Sequence, residues 1–195
     1  MTSTNKKLSE SLQAFANDYI TQYQNTYQTL PITFLDKDFP SPCEQQVISS
    51  ADAEDKVYWK PSVIDDKISF TDVESALEIS FHPDIKTYFS TLYSESMSAT
   101  CSDGALSLLF AWNEDDFKRL QENLIGHVLM KQKLKQKITL FFGLTDEEDM
   151  ILSLMNDTGE VWVERVGCEP VKKISDSLTD FIQQITPKPI SYFEE

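Results

Sequence analysis

Residues 112–137 constrain the fold of this chain more than any other stretch, because they combine a helix start signal, an apolar stripe and a charge gradient. Asn113 can cap a helix by accepting a hydrogen bond from a free backbone amide of the first turn. Three acids follow it, where the helix dipole favours negative charge: Glu114, Asp115 and Asp116. Apolar residues recur at three- and four-residue steps, namely Phe117, Leu120, Leu124, Ile125, Val128 and Leu129. The pattern predicts a long amphipathic helix with one buried face.

The second half of this predicted helix carries two further expectations. Its end holds four lysines, which suit the negative end of the dipole and which we expect to form a solvated face: Lys131, Lys133, Lys135 and Lys137. Gly126 interrupts a strong helix-forming sequence at a cost of about 1 kcal/mol relative to alanine. We therefore expect another element to pack closely against the helix at Gly126.

The rest of the chain alternates between helix-like and strand-like patterns. Amphipathic or capped segments predict further helices over residues 7–27 and 70–79, from Pro83 onward, and over 174–185. Apolar or alternating runs predict strands over residues 56–60, 96–101, 105–112, 138–144, 150–155 and 160–166. Residues 30–44 contain three prolines and no sustained period, which indicates an ordered loop. The sequence therefore predicts a single α+β domain over residues 1–195, a mixed or antiparallel twisted sheet flanked by helices, with flexible ends at 1–6 and 188–195.

The charge of the chain is strongly negative and unevenly distributed. The formal net charge is −15, from 17 Lys and Arg against 32 Asp and Glu. Residues 118–137 hold six bases and one acid, so the remaining residues hold 11 bases and 31 acids. Such a surface repels nucleic acid and anionic lipid headgroups, and it attracts basic partners over long range. Solubility alone is the other explanation of this composition.

Motifs for catalysis, phosphate binding and metal binding are not found in the sequence. There is no Walker loop, dinucleotide fingerprint, nucleophile elbow or HExxH pattern. The three cysteines are widely spaced, which argues against a zinc site and favours free thiols in a reducing compartment. The longest apolar runs are strand-sized, far short of the ~20 residues of a membrane span. We therefore expect no catalytic residue, no cofactor and no metal, although a hydrolase with a carboxylate or Cys–His site stays open.

The tryptophans near carboxylates suggest a binding role. Trp59 belongs to a predicted strand, and Trp112 lies where a strand meets the long helix. A tryptophan beside a carboxylate can bind an arginine or lysine by stacking and ion pairing together. A position in the hydrophobic core is the alternative for each of them.

Several blocks of the sequence go beyond general periodicity. The specific block comprises Trp112, residues 114–117, Arg119 and residues 121–127. Residues 40–43, residues 57–59 with Pro61, and residues 159–161 support it by their order. In these blocks the sequence resembles the Syd family of SecY-interacting proteins. The resemblance extends from about residue 8 to residue 185. The lysine-rich run after the long helix and residues 187–195 are matched less tightly, and nothing is carried onto them.

The resemblance implies an SMI1/KNR4-like α+β fold and a non-enzymatic protein on the cytoplasmic side of the inner membrane. Such a protein is expected to be peripheral, with membrane contact only through a protein partner, the SecY translocation channel. It is expected to use an acidic concave surface in a regulatory or quality-control role. The implied partner has suitable chemistry, because cytoplasmic loops of membrane proteins are rich in Lys and Arg.

The resemblance does not say which carboxylates form the acidic surface. Charge, aromatic adjacency and the matched blocks favour eight residues: Glu114, Asp115, Asp116, Trp112 and Trp59, and less strongly Glu54, Asp55 and Glu160. The alternative to a channel-binding protein is an immunity-type module of the same fold that neutralises a basic toxin or nuclease. Either partner is a basic protein rather than a nucleic acid.

Overall fold

The computed structural model describes residues 3–49, 54–65 and 68–191 and shows an α+β fold, as predicted. Within these residues the helices are α1 (Ser3–Tyr27), α2 (Thr71–Leu77), α3 (Pro83–Phe89), α4 (Glu114–Leu134) and α5 (Leu178–Gln184). The first strands are β1 (Ile32–Phe34), β2 (Glu44–Ile48), β3 (Lys56–Trp59), β4 (Ser62–Val63) and β5 (Leu92–Tyr93). The later strands are β6 (Met97–Cys101), β7 (Gly104–Leu108), β8 (Thr139–Thr145), β9 (Met150–Met155), β10 (Val161–Arg165), β11 (Pro170–Ser175) and β12 (Thr186–Pro187).

One large sheet organises the molecule. Its seven strands run in the order β11-β10-β9-β8-β7-β6-β12, and every neighbouring pair is antiparallel. A smaller antiparallel sheet has the order β1-β3-β2, and β4 pairs with β5. The antiparallel arrangement follows from short turns between successive strands, such as the turn at Ser102 and Asp103 between β6 and β7.

Helices cover both faces of the large sheet. Successive strand residues point to opposite faces, and β8 shows this at Phe141 and Phe142. The Phe141 ring lies 5.6 Å from His127 of α4, measured between ring centroids. The Phe142 ring lies 5.4 Å from Tyr88 of α3 and 5.8 Å from Phe181 of α5. Apolar side chains of β8 therefore pack against helices on both sides of the sheet, which explains the apolar run of Leu140, Phe141 and Phe142, while Leu144 near the end of the strand is exposed.

The long helix α4 forms where the sequence predicts it. The side-chain oxygen of Asn113 accepts a hydrogen bond from the Asp116 amide at 2.9 Å, as expected of a helix cap. Phe117, Leu124 and Val128 are buried, in agreement with the apolar stripe. The helix ends at Leu134. The apolar period is a local property, so the sequence alone suffices to predict this element.

Two expectations about the second half of α4 are wrong. Gly126 is exposed, and a Cβ atom built on it would meet no atom of the described residues within 4 Å, so no described element packs closely there. Lys131 does not belong to a solvated face, because its side chain is fully buried and its ammonium pairs with Glu164. Lys133 and Lys135 of the lysine-rich end are exposed as predicted.

Other differences from the prediction concern short or exposed strands. The predicted loop over residues 30–44 contains β1, which fits between Pro31 and Pro40 at an edge of the small sheet. The predicted last helix starts later, because Ile174 belongs to β11. Three successive side chains of β11 are exposed, so the strand lacks the apolar alternation that would reveal it. The predicted flexible ends stay a prediction: α1 begins at Ser3, and residues 1–2 and 192–195 lie outside the described residues.

Candidate partner-binding site

Two of the predicted site residues, Trp59 and Trp112, meet in space. Trp59 ends β3 and is only 4% exposed, while Trp112 precedes α4 and is half-buried. Their rings are perpendicular, with centroids 6.3 Å apart, which is a favourable edge-to-face contact. We call this contact the tryptophan junction. Trp59 is therefore a core residue, and Trp112 is the member with surface available to a partner.

Hydrogen bonds and a cation–π contact connect the loop before β2 to the start of α4. The Asn113 side-chain amide donates hydrogen bonds to the carbonyl oxygens of Phe39 (3.1 Å) and Pro40 (3.0 Å). The Arg119 guanidinium lies over the Phe39 ring, 4.9 Å from its centroid. The Ser41 hydroxyl donates to the Trp112 carbonyl. Residues 40–43 and 112–127, two separate blocks in the sequence, thus form one structural unit.

The three acids after Asn113 have different environments. Glu114 and Asp115 are exposed, and Lys118 pairs with both, at 3.3 Å and 3.0 Å. The hydrogen bonds to Asp115 and Glu114 raise the pKa of Lys118. Asp116 is half-buried, and its carboxylate accepts a hydrogen bond from the Trp112 amide at 2.9 Å. Asp116 therefore adds a second hydrogen bond at the helix start beside the Asn113 cap, and Glu114 and Asp115 are the carboxylates that face solvent.

Glu54 and Asp55 precede β3. Glu54 is exposed. Asp55 is half-buried, and its carboxylate forms an ion pair with Lys37 at 2.9 Å. The Asp55 carbonyl accepts a hydrogen bond from the Leu35 amide at 2.9 Å, which holds the two chain segments together. Asp55 is thus already paired with Lys37, and the exposed carboxylate of Glu54 adds negative charge to this part of the surface.

Glu160 lies at the turn between β9 and β10 and is engaged by its own neighbours. Its carboxylate accepts hydrogen bonds from Lys173 Nζ at 3.0 Å, Thr158 Oγ1 at 3.0 Å and Trp162 Nε1 at 3.3 Å. These hydrogen bonds, led by that from Lys173, lower the pKa of Glu160. Among the described residues, no hydrogen bond, ion pair or ring contact connects Glu160 with the tryptophan junction. The structure therefore does not bring Glu160 together with the other predicted residues.

A cavity of about 260 Å³ adjoins the tryptophan junction and contains the Glu95 carboxylate, which is not among the predicted site residues. Its lining includes Tyr19, Tyr23, Thr33, Trp59, Glu95 and Ile190. Ser96 lines it too, and both Ser96 and Ile190 are exposed, so the cavity opens to the surface. We call it the Glu95 cavity. Glu95 stands alone between two serines in the sequence, away from every cluster of acids, and no local pattern singles it out.

The Glu95 carboxylate is held in place by one neutral group. Its Oε1 atom accepts a hydrogen bond from Thr33 Oγ1 at 2.9 Å. Within the part of the chain that the structure describes, no Lys, Arg or His nitrogen lies within ion-pair distance of Glu95. A carboxylate has about four acceptor positions, so Glu95 can accept further hydrogen bonds from a ligand in the cavity.

The pKa of the Cys43 thiol depends on its burial and on nearby carboxylates. Cys43 is fully buried, and this burial raises the pKa of its thiol to about 11, with the negative charges of Glu95 and Glu44 adding to the effect. The thiol is therefore neutral at physiological pH and unreactive as a nucleophile. Glu95 and Glu44 lie close enough to Cys43 for their negative charges to raise the pKa of its thiol further.

The two histidines serve local structure. His82 accepts a hydrogen bond from the Asp84 amide at 3.2 Å and caps α3. Gly159 lies against the His82 ring, with an added Cβ only 2.7 Å from it, so only glycine fits there. His127 is buried and lies 3.0 Å from Thr139 Oγ1.

No cluster of three or more metal-ligating side chains occurs among residues 3–49, 54–65 and 68–191. None of the helices in these ranges is both long and apolar enough to cross a membrane.

Comparison with known proteins matches almost the whole chain. The family model described as "Syd protein (SUKH-2)" matches residues 9–187. Protein Syd of Colwellia psychrerythraea is 51% identical over 199 aligned residues, which cover 97% of this chain and 98% of the relative. Protein Syd of Alteromonas mediterranea is 43% identical, over 92% of this chain and 96% of the relative. Protein Syd of Pseudoalteromonas atlantica is 41% identical, over 78% and 81% respectively.

Proposed function

The chain belongs to the Syd family, and from that premise we propose that it binds basic cytoplasmic loops of the SecY protein-translocation channel through an acidic surface. We propose a regulatory or quality-control role without enzymatic activity. The protein would act in the cytoplasm, peripheral on the inner membrane, with membrane contact only through its protein partner. The charge of −15 supports a basic protein as the partner and disfavours nucleic acid.

The observation that carries this proposal is the position of Glu114 and Asp115 beside the tryptophan junction. Both carboxylates are exposed at the start of α4, and half-buried Trp112 offers an aromatic surface next to them. A lysine or arginine of a partner could displace Lys118 and contact the aromatic ring at the same time. The dipole of α4 opposes such a cation at the helix start, so the carboxylates must outweigh it.

The remaining predicted residues have supporting roles in this proposal. Asp116 holds the start of α4 and acts by position rather than by contact with the partner, and Trp59 packs in the core behind it. Glu54 adds negative charge just before β3, and Asp55 beside it is already paired with Lys37. Glu160 belongs to a separate group of contacts on the large sheet, and its part in binding is the weakest of the eight.

The test is a pull-down from solubilised inner membranes with immobilised protein at low and moderate salt. The variant E114K/D115K reverses the two exposed charges, whereas reversing Asp116 would also remove the carboxylate that accepts a hydrogen bond from the Trp112 amide. The matched control is E147K/E148K, which makes the same change of net charge at the β8–β9 turn, where both side chains are exposed. We expect the wild type and the control to retain SecY, and E114K/D115K to retain it roughly tenfold less.

Three results would contradict the proposal in different ways. Equal loss in both double variants would mean that only the overall charge matters and that the site is wrong. No SecY retained by the wild type at either salt concentration would make the partner wrong. Retention of a soluble basic toxin or nuclease instead, lost in E114K/D115K, would favour the immunity-type alternative.

A further inference from the structure

We propose that the Glu95 cavity receives a single arginine side chain of the partner, with lysine as a weaker substitute. This inference rests on the proposed binding of a basic protein and names the chemical group that the site would recognise. It is carried by three properties of the cavity: its aromatic walls, its carboxylate, which pairs with no cation of the described residues, and its size.

The aromatic walls suit a flat cation. Tyr19, Tyr23 and Trp59 all line the cavity, and the Tyr19 and Trp59 rings stack with 25° between their planes and 6.4 Å between their centroids. A guanidinium group stacks on aromatic faces and is more weakly hydrated than an ammonium group, so it enters such a site at a lower desolvation cost. These walls explain the preference for arginine over lysine.

The carboxylate supplies the specificity for positive charge. Glu95 accepts one hydrogen bond, from Thr33, and no described cation neutralises it. A guanidinium can donate two parallel hydrogen bonds to one carboxylate. Because Glu95 is half-buried, an ion pair formed there is screened less than one at the exposed Glu114 or Asp115. An anionic or purely apolar occupant would leave this carboxylate without a counter-charge, which is costly at a half-buried position.

The size of the cavity favours a side chain over a metabolite. Its volume of about 260 Å³ lies below the roughly 300–1,000 Å³ that is typical of small-molecule pockets. The opening beside Ser96 and Ile190 gives access from the surface. The cavity shares Trp59 with the tryptophan junction, so the two are adjacent through this residue.

The test uses two short peptides that differ only in charge. One contains a single arginine flanked by glycine and serine, and the other has citrulline, the neutral analogue, at the same position. Binding is followed by NMR through the indole N–H of Trp59 and Trp112. We expect the arginine peptide to shift the Trp59 signal in a saturable way, and to bind roughly tenfold or more tightly than the citrulline peptide, because hydrogen bonds to charged groups exceed neutral ones.

The variant E95Q tests the role of the carboxylate. Glutamine keeps the shape and one acceptor oxygen for Thr33, so we expect the fold to persist while affinity for the arginine peptide falls about tenfold. The matched control is E122Q, which removes one charge from an exposed position on α4. E122Q should bind the peptide like the wild type.

The outcomes separate this inference from the proposed function. If E95Q and the wild type bind the arginine peptide equally, or if citrulline binds as well as arginine, the inference is wrong, even where the pull-down still retains SecY. If the peptide shows the expected discrimination but no SecY is retained, the cavity is correctly assigned and the proposed partner is wrong. If the wild type dimerises in sedimentation and E95Q does not, the occupant is a second copy of this chain, and the inference is overturned.

Discussion

Lys131 Nζ donates a hydrogen bond to Glu164 Oε2 across 2.8 Å, and both side chains are fully buried. Thr139 Oγ1 donates to the other carboxylate oxygen at 2.8 Å. Since a hydroxyl has a single proton, His127 Nε2 must carry the proton of its 3.0 Å contact with Thr139 Oγ1. Lys131 also donates to the Cys168 carbonyl. This buried network joins α4, β8, β10 and the turn before β11.

Removing the charge of Glu164 should strongly destabilise the fold. E164Q leaves the Lys131 ammonium in the core without its counter-charge, and breaking a buried pair in this way costs about 3–5 kcal/mol. Urea unfolding at neutral pH measures the loss. The control K133M changes an exposed lysine on the same helix and should stay within about 0.5 kcal/mol of the wild type. A loss of that small size in E164Q would mean that the pair contributes nothing.

The stability difference between wild type and E164Q should depend on pH. Burial by itself would raise the pKa of Glu164, but the hydrogen bonds from His127, Lys131 and Thr139 lower it below its usual value. A lowered folded-state pKa contributes stability that is present above the unfolded pKa, about 4.3, and is lost as the pH falls through the folded value. Urea unfolding at about pH 7, 5 and 3.5 should show the difference narrowing. A difference that stays constant, or that grows toward acid, would contradict the lowered pKa.

The sequence could predict α4 but not the pairing of Lys131. The apolar stripe and the Asn113 cap are local signals, and the helix formed where they indicate it. The partner of Lys131 lies 33 residues away on β10, and nothing in the order of residues announces such a contact. Because Lys131 stands in a lysine-rich run, the sequence predicted that its side chain is exposed to solvent. Strand β11 was not predicted for a related reason: three successive residues are exposed, so the strand lacks alternation of apolar and polar residues.

The candidate site was predictable to the extent that it is built from adjacent residues. The acids after Asn113 and the neighbouring Trp112 are visible as a run, and the contact of Trp112 with Trp59 follows from two matched blocks that fold together. Glu95 gains its significance only from Tyr19, Thr33 and Trp59, which come from three distant segments. A site assembled from isolated residues requires the tertiary structure.

Replacing Gly126 by alanine should stabilise the protein. Gly126 is exposed within α4, and an added Cβ meets no atom of residues 3–49, 54–65 and 68–191 within 4 Å, so the gain in helix propensity of up to about 1 kcal/mol is not offset by a clash with them. The contrasting variant is G143A in β8, where the added Cβ lies 3.0 Å from the Ser107 carbonyl and should destabilise. Urea unfolding of both variants decides the matter, and a destabilised G126A would reveal a constraint on that face of α4.

Replacing Asn113 by alanine should cost more than the loss of an ordinary helix cap. The substitution removes the acceptor for the Asp116 amide, worth about 1 kcal/mol, and also the two hydrogen bonds to Phe39 and Pro40. We expect about 2–3 kcal/mol in thermal or urea unfolding. The control N123A lies exposed on the same helix and should have little effect. Equal stability of the two variants would mean that the loop is held by other contacts.

Salt should separate the two parts of the proposed interface. Exposed charges are screened beyond the Debye length, which is about 8 Å at 0.15 M salt, whereas a half-buried pair is screened much less. The penalty of E114K/D115K for binding a basic partner should therefore shrink as salt rises from about 0.05 M to about 0.5 M, and that of E95Q should persist. Affinities measured by calorimetry at several salt concentrations test this difference. Parallel loss of both penalties would place Glu95 in the same screened environment as the start of α4, and the cavity would then add charge without enclosing its ligand.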